Sequence, residues 1–290
     1  MINIESSGIT DIGRRRELNE DSFFYDDGMR LYVVADGMGG HNAGEVASEL
    51  VVKTIRDYLN QNTAQDALQD PIKTEDKLSE DARRLLTGIH LSNHIVHQAA
   101  LQNEDYKGMG STVSAVYLTN ETFIVANVGD SLVYLIRDGK IKLLSVPHTL
   151  VAEQAELDPE NAELLWNDFK HVLTRAMGVD KFVKADIKEM PFFKNDILVI
   201  SSDGLTDKAT PEEILELVDN QRSDLACQKL VDLANARGGE DNITAIVLRI
   251  KSEANNNSGI SGRFKNIFKK LFYTHLQPKI NKSTHAKDHA

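Results

Sequence analysis

The hydrophobic pattern of the chain divides into short strand-like runs and longer helical ones. Apolar or β-branched runs predict strands at Leu31–Ala35, Asp196–Ser201 and Ile243–Ile250. Four more runs follow one another closely, at Ser111–Leu118, Thr122–Val128, Ser131–Arg137 and Lys140–Leu144. The short turn sequences between them, including the hairpin dipeptide Asp138-Gly139, leave no room for crossover helices. These four runs therefore predict an antiparallel meander.

Apolar residues at helical spacing predict helices at about Ala43–Leu59, Asp81–Leu101, Pro211–Val218 and Asp224–Arg237. The third helix has the clearest start signal, because Thr210 can cap it, Pro211 suits its first turn and Glu213 completes a capping box. Strands and long helices come in blocks, without a regular βαβ alternation. This order favours an α+β layered sandwich over a doubly wound parallel sheet.

The pattern also divides the chain into a body over residues 1–250, a polar linker over 251–262 and a basic tail over 263–290. In the tail, apolar residues recur at helical spacing with basic residues on the other side, which predicts a short basic amphipathic helix. The apolar set is Phe264, Ile267, Phe268, Leu271 and Phe272, and the basic set is Arg263, Lys265, Lys269 and Lys270. Such a helix can lie on an anionic membrane, dock in a groove of a partner protein, or dock on the acidic body itself.

Composition and charge narrow the class of protein. The 290 residues are 41% hydrophobic and 27% charged, as in packed globular proteins. The net charge of −11 combines +6 in residues 251–290 with −17 in residues 1–250, which disfavours a nucleic-acid-binding body. Cys227 is the single cysteine, so the chain forms no internal disulfide. No apolar run has the length of a membrane span or of a signal peptide, and we expect a cytoplasmic protein.

Four carboxylates stand at the ends of predicted strands, each with a glycine within three positions: Asp36, Asp130, Asp203 and Asp241. Glycine allows a close approach of the backbone to a ligand, and strand ends are rigid mounts for side chains. Carboxylates gathered in one cleft repel one another unless a cation neutralises them, and oxygen ligands favour Mg²⁺ or Mn²⁺. A single Asp-Gly is more often a turn, and Asp138-Gly139 is interpreted as one.

Seven motifs occur in an order that resembles the metal-dependent serine/threonine protein phosphatases of the protein phosphatase 2C class, in its bacterial branch. They are Arg16-Glu17-Leu18-Asn19-Glu20-Asp21, Val34-Ala35-Asp36-Gly37-Met38-Gly39-Gly40-His41, Gly108-Met109-Gly110-Ser111-Thr112, Asn127-Val128-Gly129-Asp130-Ser131, Leu173-Thr174-Arg175-Ala176-Met177-Gly178, Ser201-Ser202-Asp203-Gly204-Leu205-Thr206-Asp207 and Asp241-Asn242-Ile243-Thr244. The similarity spans roughly residues 8–250. It implies a four-layer α-β-β-α sandwich with two central antiparallel sheets and a binuclear metal centre at one end.

The resemblance also implies roles for individual residues. Asp36 would bridge two Mn²⁺ or Mg²⁺ ions, Asp203 and Asp241 would complete the protein ligands of one ion, and the Gly37 carbonyl would serve the other. Glu20 and Asp21 would hold metal-bound waters, Asp130 with Asp203 would form a weaker third site, and Arg16 would grip the substrate phosphate. Phosphoserine and phosphothreonine in proteins would then be hydrolysed by direct attack of a metal-bridging hydroxide. The implied partners are phosphoproteins and a cognate serine/threonine kinase, and a monomer is expected.

The chain departs from the family pattern at three places. Met38 stands where many eukaryotic members have a histidine that acts as general acid, and His41 is either a substitute for it or only the entry to the next helix. Leu132 replaces the usual arginine after Gly-Asp-Ser, and Pro147-His148 replaces an Asp-His pair. The segment 147–172 corresponds to the flap beside the active site.

Other interpretations stay open beside the enzyme. A catalytically silent module that keeps the fold for binding or regulation is the alternative function, although all the implied metal ligands are present. His90, His94 and His97 lie at helical spacing, which fits a polar helix face better than a metal site. Cys227 is expected to be a packing residue. A cysteine-based phosphatase is excluded, because the sequence after Cys227 lacks the arginine of a phosphate-binding loop. Without an Asp-x-Asp pair an aspartyl-phosphate route is excluded as well.

Overall fold

Two antiparallel sheets form the centre of the computed structural model, which describes residues 2–39, 43–61, 78–158 and 169–252. The first sheet contains, in spatial order, β1 (Asn3–Asp11), β11 (Ile243–Ser252), β10 (Ile197–Ser201), β7 (Leu132–Arg137) and β8 (Lys140–Leu143). The second contains β2 (Asp21–Asp26), β3 (Leu31–Met38), β5 (Val113–Leu118), β6 (Thr122–Val128) and β9 (Asp186–Pro191), and the short β4 (Gly110–Ser111) pairs with β3.

The outer layers are helical. Helices α1 (Ala43–Asn60) and α2 (Glu80–Gln102) share a buried apolar cluster with the second sheet. Helices α5 (Pro211–Val218) and α6 (Ser223–Ala236) do the same with the first sheet. Two short helices, α3 (Leu150–Leu157) and α4 (Asp203–Thr206), follow β8 and β10 along the chain. The four predicted helices are confirmed to within one residue at each end, and so is the capping box at the start of α5.

Burial on both faces of the central strands explains the layering. Alternate residues of a strand point to opposite faces. On β3, Leu31 and Val33 belong to the cluster with α1 and α2, while Tyr32 on the other face is equally buried. On β11, Val247 faces the cluster with α6, and Leu248 is buried on the opposite side. The second set of faces fills the space between the sheets, so the predicted four-layer sandwich is confirmed.

The predicted four-strand meander is wrong at one point, between Val128 and Leu132. β5 and β6 form one hairpin and β7 and β8 another, but the two hairpins belong to different sheets. The chain crosses between the sheets at Gly129, whose φ of 96° suits glycine, and His148 holds this residue on both sides. Gly129 N–H donates to Nδ1 of His148 at 3.1 Å, and the Gly129 carbonyl accepts from the His148 N–H at 2.9 Å.

Three strands were not predicted, because their sequences lack a clear apolar pattern: β1, β2 and β9. The domain boundaries stay a prediction, since nearly all of the linker 251–262 and all of the tail 263–290 lie outside the described residues, as does part of the flap. Within the described ranges, no helix combines the length and the apolar character needed to cross a bilayer.

Candidate active site

The strand ends bring the predicted carboxylates together at one end of the sandwich. Asp21 at the start of β2 pairs in register with Asp36 near the end of β3. Directly opposite like charges destabilise a sheet, so this pairing needs compensation. A cleft of about 740 Å³ opens over this end of the sheets. Its lining includes the predicted residues Arg16, Glu20, Asp36, Gly37, Asp130, Asp203 and Asp241.

Asp21 lies buried behind the cleft. Its Oδ2 accepts hydrogen bonds from the hydroxyls of Ser202 at 2.7 Å and Thr244 at 2.6 Å. Its Oδ1 is buried and accepts no hydrogen bond from the described residues. Burial, helped by the nearby charges of Asp203 and Asp241, raises the pKa of Asp21 from 3.8 to about 7 despite the two hydroxyls.

Asp36 is fixed through its backbone, which leaves its carboxylate available. Its N–H donates to Thr112 Oγ1 at 2.9 Å, and its carbonyl accepts from the Thr112 N–H at 2.8 Å. Ser111 Oγ adds a hydrogen bond to the same carbonyl at 3.0 Å. Burial and the neighbouring carboxylates, Asp21 and Asp203 first among them, raise the pKa of Asp36 well above its ordinary value.

Gly37 and Glu20 sit where the backbone of β3 meets the start of α1. A Cβ at Gly37 would lie 2.0 Å from the carbonyl oxygen of Gly44, so glycine is required for this close approach. The Gly37 N–H donates to the Glu20 carbonyl at 3.1 Å, and Ser48 Oγ donates to the same carbonyl at 2.6 Å. Burial raises the pKa of the Glu20 side chain, partly offset by Arg16.

Asn242 ties the loop that carries Arg16 and Glu20 to the start of β11. Its Oδ1 accepts from the Glu20 N–H at 2.8 Å. Its Nδ2 donates to the carbonyls of Ile12 at 3.0 Å and Leu18 at 2.9 Å. Asn242 belongs to the motif Asp241-Asn242-Ile243-Thr244, but no local signal in the sequence indicates this role. Its amide has both a donor and an acceptor, so it can satisfy backbone groups of both kinds in one buried place.

Arg16 reaches the cleft from this loop. Its Nη2 donates to Asp241 Oδ2 at 2.8 Å, while about half of its side chain stays exposed. The hydrogen bond to Asp241 raises the pKa of the guanidinium further. Met38 lines the same cleft. His41 lies outside the described residues, so its role stays a prediction.

His171 was missed by the sequence analysis. It joins Asp130 and Asp203 in a group whose ligand atoms all lie within 4.8 Å of one another. Its Nδ1 is 3.5 Å from Asp203 Oδ2, and its Nε2 is 3.3 Å from Asp207 Oδ2. The interaction with Asp203 raises the pKa of His171, and burial raises the pKa of Asp130 to about 7. No local signal in the sequence marks His171, because its partners come from distant segments.

The histidines of α2 behave as a helix face. In the described part of the chain, His97 Nδ1 lies 3.0 Å from the Gly178 carbonyl, and none of the three joins a group of metal-ligating side chains. Cys227 is buried in α6, where its thiol donates to the Ser7 carbonyl at 3.3 Å. The interpretation of Cys227 as a packing residue is therefore confirmed, while the absence of a metal site on α2 stays a prediction.

The chemistry of the donor set fits divalent cations. Asp203 Oδ1, like Asp21 Oδ1, is buried and has no hydrogen-bond partner among the described residues. Buried unpaired carboxylate oxygens are costly, and a bound ion is one established way to satisfy them. The oxygen ligands of the cleft suit Mg²⁺ or Mn²⁺.

Comparisons with known proteins agree with this geometry. A family model described as protein phosphatase 2C matches residues 13–247. A protein phosphatase 2C-type protein of Streptococcus pyogenes is 36% identical over 250 residues, which are 84% of this chain and 96% of that protein. The Streptococcus agalactiae serine/threonine phosphatase structure is 33% identical with a TM-score of 0.73, and the match covers 86% of this chain and all of that one. The catalytic domain of the phosphatase PstP in complex with two manganese ions is 27% identical with a TM-score of 0.71, over 87% of this chain and all of that one.

The raised carboxyl pKa values predict how the metal-free protein responds to pH. Asp21 and Asp130 hold protons up to about pH 7 when folded but only to about 3.8 when unfolded. Their stabilising contribution is therefore complete below the unfolded value and is lost as the pH rises through about 7. We expect the chelator-treated protein to melt at a higher temperature near about pH 6 than near about pH 8.

The same oxygens bind protons and cations, so Mn²⁺ should raise the melting temperature more at the higher pH. Differential scanning calorimetry measures both effects. Asp130→Asn, which keeps the size of the side chain, should reduce the difference between the two pH values. A metal-free protein that melts higher at the more alkaline pH would contradict the assignment.

Proposed function

Since this chain belongs to the protein phosphatase 2C family and is a metal-dependent protein serine/threonine phosphatase, we propose that the cleft between Arg16 and Asp203 is where it hydrolyses phosphoserine and phosphothreonine. The observation that carries the proposal is the pairing of Asp21 with Asp36 in register, together with the buried oxygens Asp21 Oδ1 and Asp203 Oδ1, which accept no hydrogen bond from the described residues. Such an arrangement needs protons or cations to neutralise its charge, and near neutral pH a bound cation does this without protonating the carboxylates.

In this proposal Asp36 would be a ligand of two divalent cations. Asp203 and Asp241 would complete the protein ligands of one ion, and the Gly37 carbonyl would serve the other. Glu20 and Asp21 would accept hydrogen bonds from water bound to the ions. When bound, the cations would lower the pKa of a water molecule and neutralise charge on the phosphoryl oxygens. Asp130 and Asp203 would hold a third, weaker ion.

Arg16 binds the phosphate of the substrate. Its guanidinium presents two parallel N–H donors, a geometry that matches phosphoryl oxygens and that lysine lacks. The hydrogen bond to Asp241 aims the side chain into the cleft before the substrate arrives. The leaving serine or threonine oxygen needs a proton, and His41 is the proposed donor for it.

Replacing Asp36 tests the metal role. Asp36→Asn keeps the size of the side chain but removes the negative charge, so kcat/KM for p-nitrophenyl phosphate with Mn²⁺ should fall by at least about a hundredfold. The Mn²⁺-dependent rise in melting temperature should disappear with it. Asp180→Asn is the matched control, since Asp180 lines the same cleft but has no proposed metal role. Full turnover in Asp36→Asn refutes the assignment, and an inactive wild type favours the silent binding module instead.

A second substitution tests whether Arg16 binds the phosphate of the substrate. Arg16→Lys keeps the charge but loses the paired donors, so kcat/KM should fall about tenfold to a hundredfold, the value of one charge-assisted hydrogen bond. The loss should appear mainly in KM for p-nitrophenyl phosphate. Arg15→Lys, one residue away and also exposed, should leave both constants unchanged. Equal effects of the two substitutions would assign only a general electrostatic role to this loop.

The setting of the reaction is also a proposal. A phosphatase that acts on phosphoserine and phosphothreonine requires a kinase that makes them, so we propose a cognate serine/threonine kinase as its functional counterpart. We further propose a cytoplasmic monomer. The basic tail over 263–290 would hold the enzyme against an anionic membrane or a partner protein, or would dock on its own acidic body.

The tail proposal can be tested with vesicles. Each basic residue near an anionic surface contributes about 1 kcal/mol of binding, so reversing the charge of Lys265, Lys269 and Lys270 should abolish most of it. Full-length wild type should co-sediment with phosphatidylserine vesicles, and the triple Lys→Glu variant should stay in the supernatant. Vesicles of phosphatidylcholine alone are the control. Equal sedimentation of both proteins would exclude membrane binding by the tail. Docking on a partner protein or on the acidic body would then remain.

A further inference from the structure

A second cavity lies beside the catalytic cleft, between the end of the first sheet and helix α3. It has a volume of about 620 Å³. Asp130, His171 and Asp203 line both cavities, so the second one opens directly into the proposed site of phosphate hydrolysis. We call it the flap groove. Its wall includes the apolar residues Leu132, Tyr134, Pro147, Val151, Ala155 and Pro211.

The local structure makes this wall continuous. Leu132 and Tyr134 are two residues apart on β7 and therefore share one face of the strand. Val151 and Ala155 are four residues apart on α3 and share one face of the helix. A strand face and a helix face thus line the same groove with apolar side chains. The lining of the catalytic cleft, by contrast, includes nine Asp, Glu and Arg residues.

The charged residues at the rim of the groove are paired with one another. Lys170 Nζ is 2.9 Å from Asp207 Oδ2, and Arg237 Nη1 donates to Glu213 Oε2 at 2.7 Å. Lys208 forms an ion pair with Glu240. Because these charges are already neutralised, the rim offers little selectivity for a charged occupant. The apolar wall selects the occupant instead.

We propose that the flap groove binds an apolar side chain of the substrate polypeptide, close in sequence to the phosphorylated residue. This inference rests on the proposed function, since a phosphorylated residue in the cleft must have its own chain leading out of it. The two cavities share lining residues and an extended chain advances about 3.3 Å per residue, so a side chain within about four residues of the phosphoserine or phosphothreonine can reach the groove. The groove makes the enzyme select phosphosites with a neighbouring leucine, isoleucine, valine or phenylalanine.

Phosphopeptide kinetics with the full-length enzyme and Mn²⁺ test the proposal. One phosphothreonine peptide contains only glycine and serine around the phosphosite, and a series carries a single leucine in turn at each position within about four residues of it. At one position or more, leucine should raise kcat/KM about tenfold over serine, as expected for one apolar side chain in a fitting pocket. p-Nitrophenyl phosphate, which has no flanking chain, reports the chemistry alone.

Ala155→Lys tests the groove itself. Ala155 is exposed on α3, so lysine there brings a long charged side chain into the groove without disturbing the core. The ratio of kcat/KM for the leucine peptide to kcat/KM for the serine peptide should fall to about one. The value of kcat/KM for p-nitrophenyl phosphate should stay at that of the wild type. Gln154→Lys is the matched control, since it adds the same charge one residue away on the same helix, outside the groove lining. It should keep the preference.

The outcomes separate this inference from the proposed function. A wild type that does not hydrolyse p-nitrophenyl phosphate overturns the function. Normal hydrolysis of p-nitrophenyl phosphate with no preference for leucine at any position overturns only the proposal that the groove binds an apolar side chain. A preference that survives Ala155→Lys also overturns it. If Ala155→Lys instead accelerates all substrates equally, the groove holds this chain's own C-terminal segment and the proposal is wrong.

Discussion

The mutual repulsion of buried carboxylates is the constraint on which the active end of this protein depends. Asp21 and Asp36 face each other across β2 and β3, and Asp130 and Asp203 add charge at the same end. Burial raises the energy of the charged forms of Asp21, Asp36 and Asp130, and the nearby charges raise it again. Without cations the arrangement is destabilising. A protein that keeps these carboxylates together is less stable than it could be, because it retains a site that binds metal.

The fold offsets this cost with hydrogen bonds at the ends of its strands. Ser202, directly after β10, and Thr244 on β11 both donate to Asp21 of the second sheet, so the two sheets are linked through a ligand candidate. Thr112 fixes the backbone of Asp36, and its Oγ1 lies 2.6 Å from Ser131 Oγ, next to Asp130. Each hydroxyl therefore holds a carboxylate or the backbone beside one. The metal-binding end is preorganised by small polar residues.

Beside this charged end lies the apolar flap groove, and the division suits a protein phosphatase. The chemistry of phosphate hydrolysis requires charge, but every substrate carries the same phosphate. Discrimination between substrates must therefore come from contacts outside the reacting group. The crossover at Gly129-Asp130 produces this geometry, because it places Asp130 where the two cavities meet and Leu132 in the groove alone.

Strand ends marked by Asp and Gly, together with the order of seven motifs, indicated the family, the layered architecture and seven of the residues that line the cleft from the amino-acid sequence alone. This worked because those signals are local: a turn, a cap or a motif depends on neighbours along the chain. Tertiary structure alone decided that β6 and β7 belong to different sheets, since hydrophobic alternation does not specify the partner of a strand. It alone brought His171 to Asp203 and Asn242 to Glu20. Such contacts join segments far apart in the chain, and only the packing of the two sheets brings them within hydrogen-bonding distance.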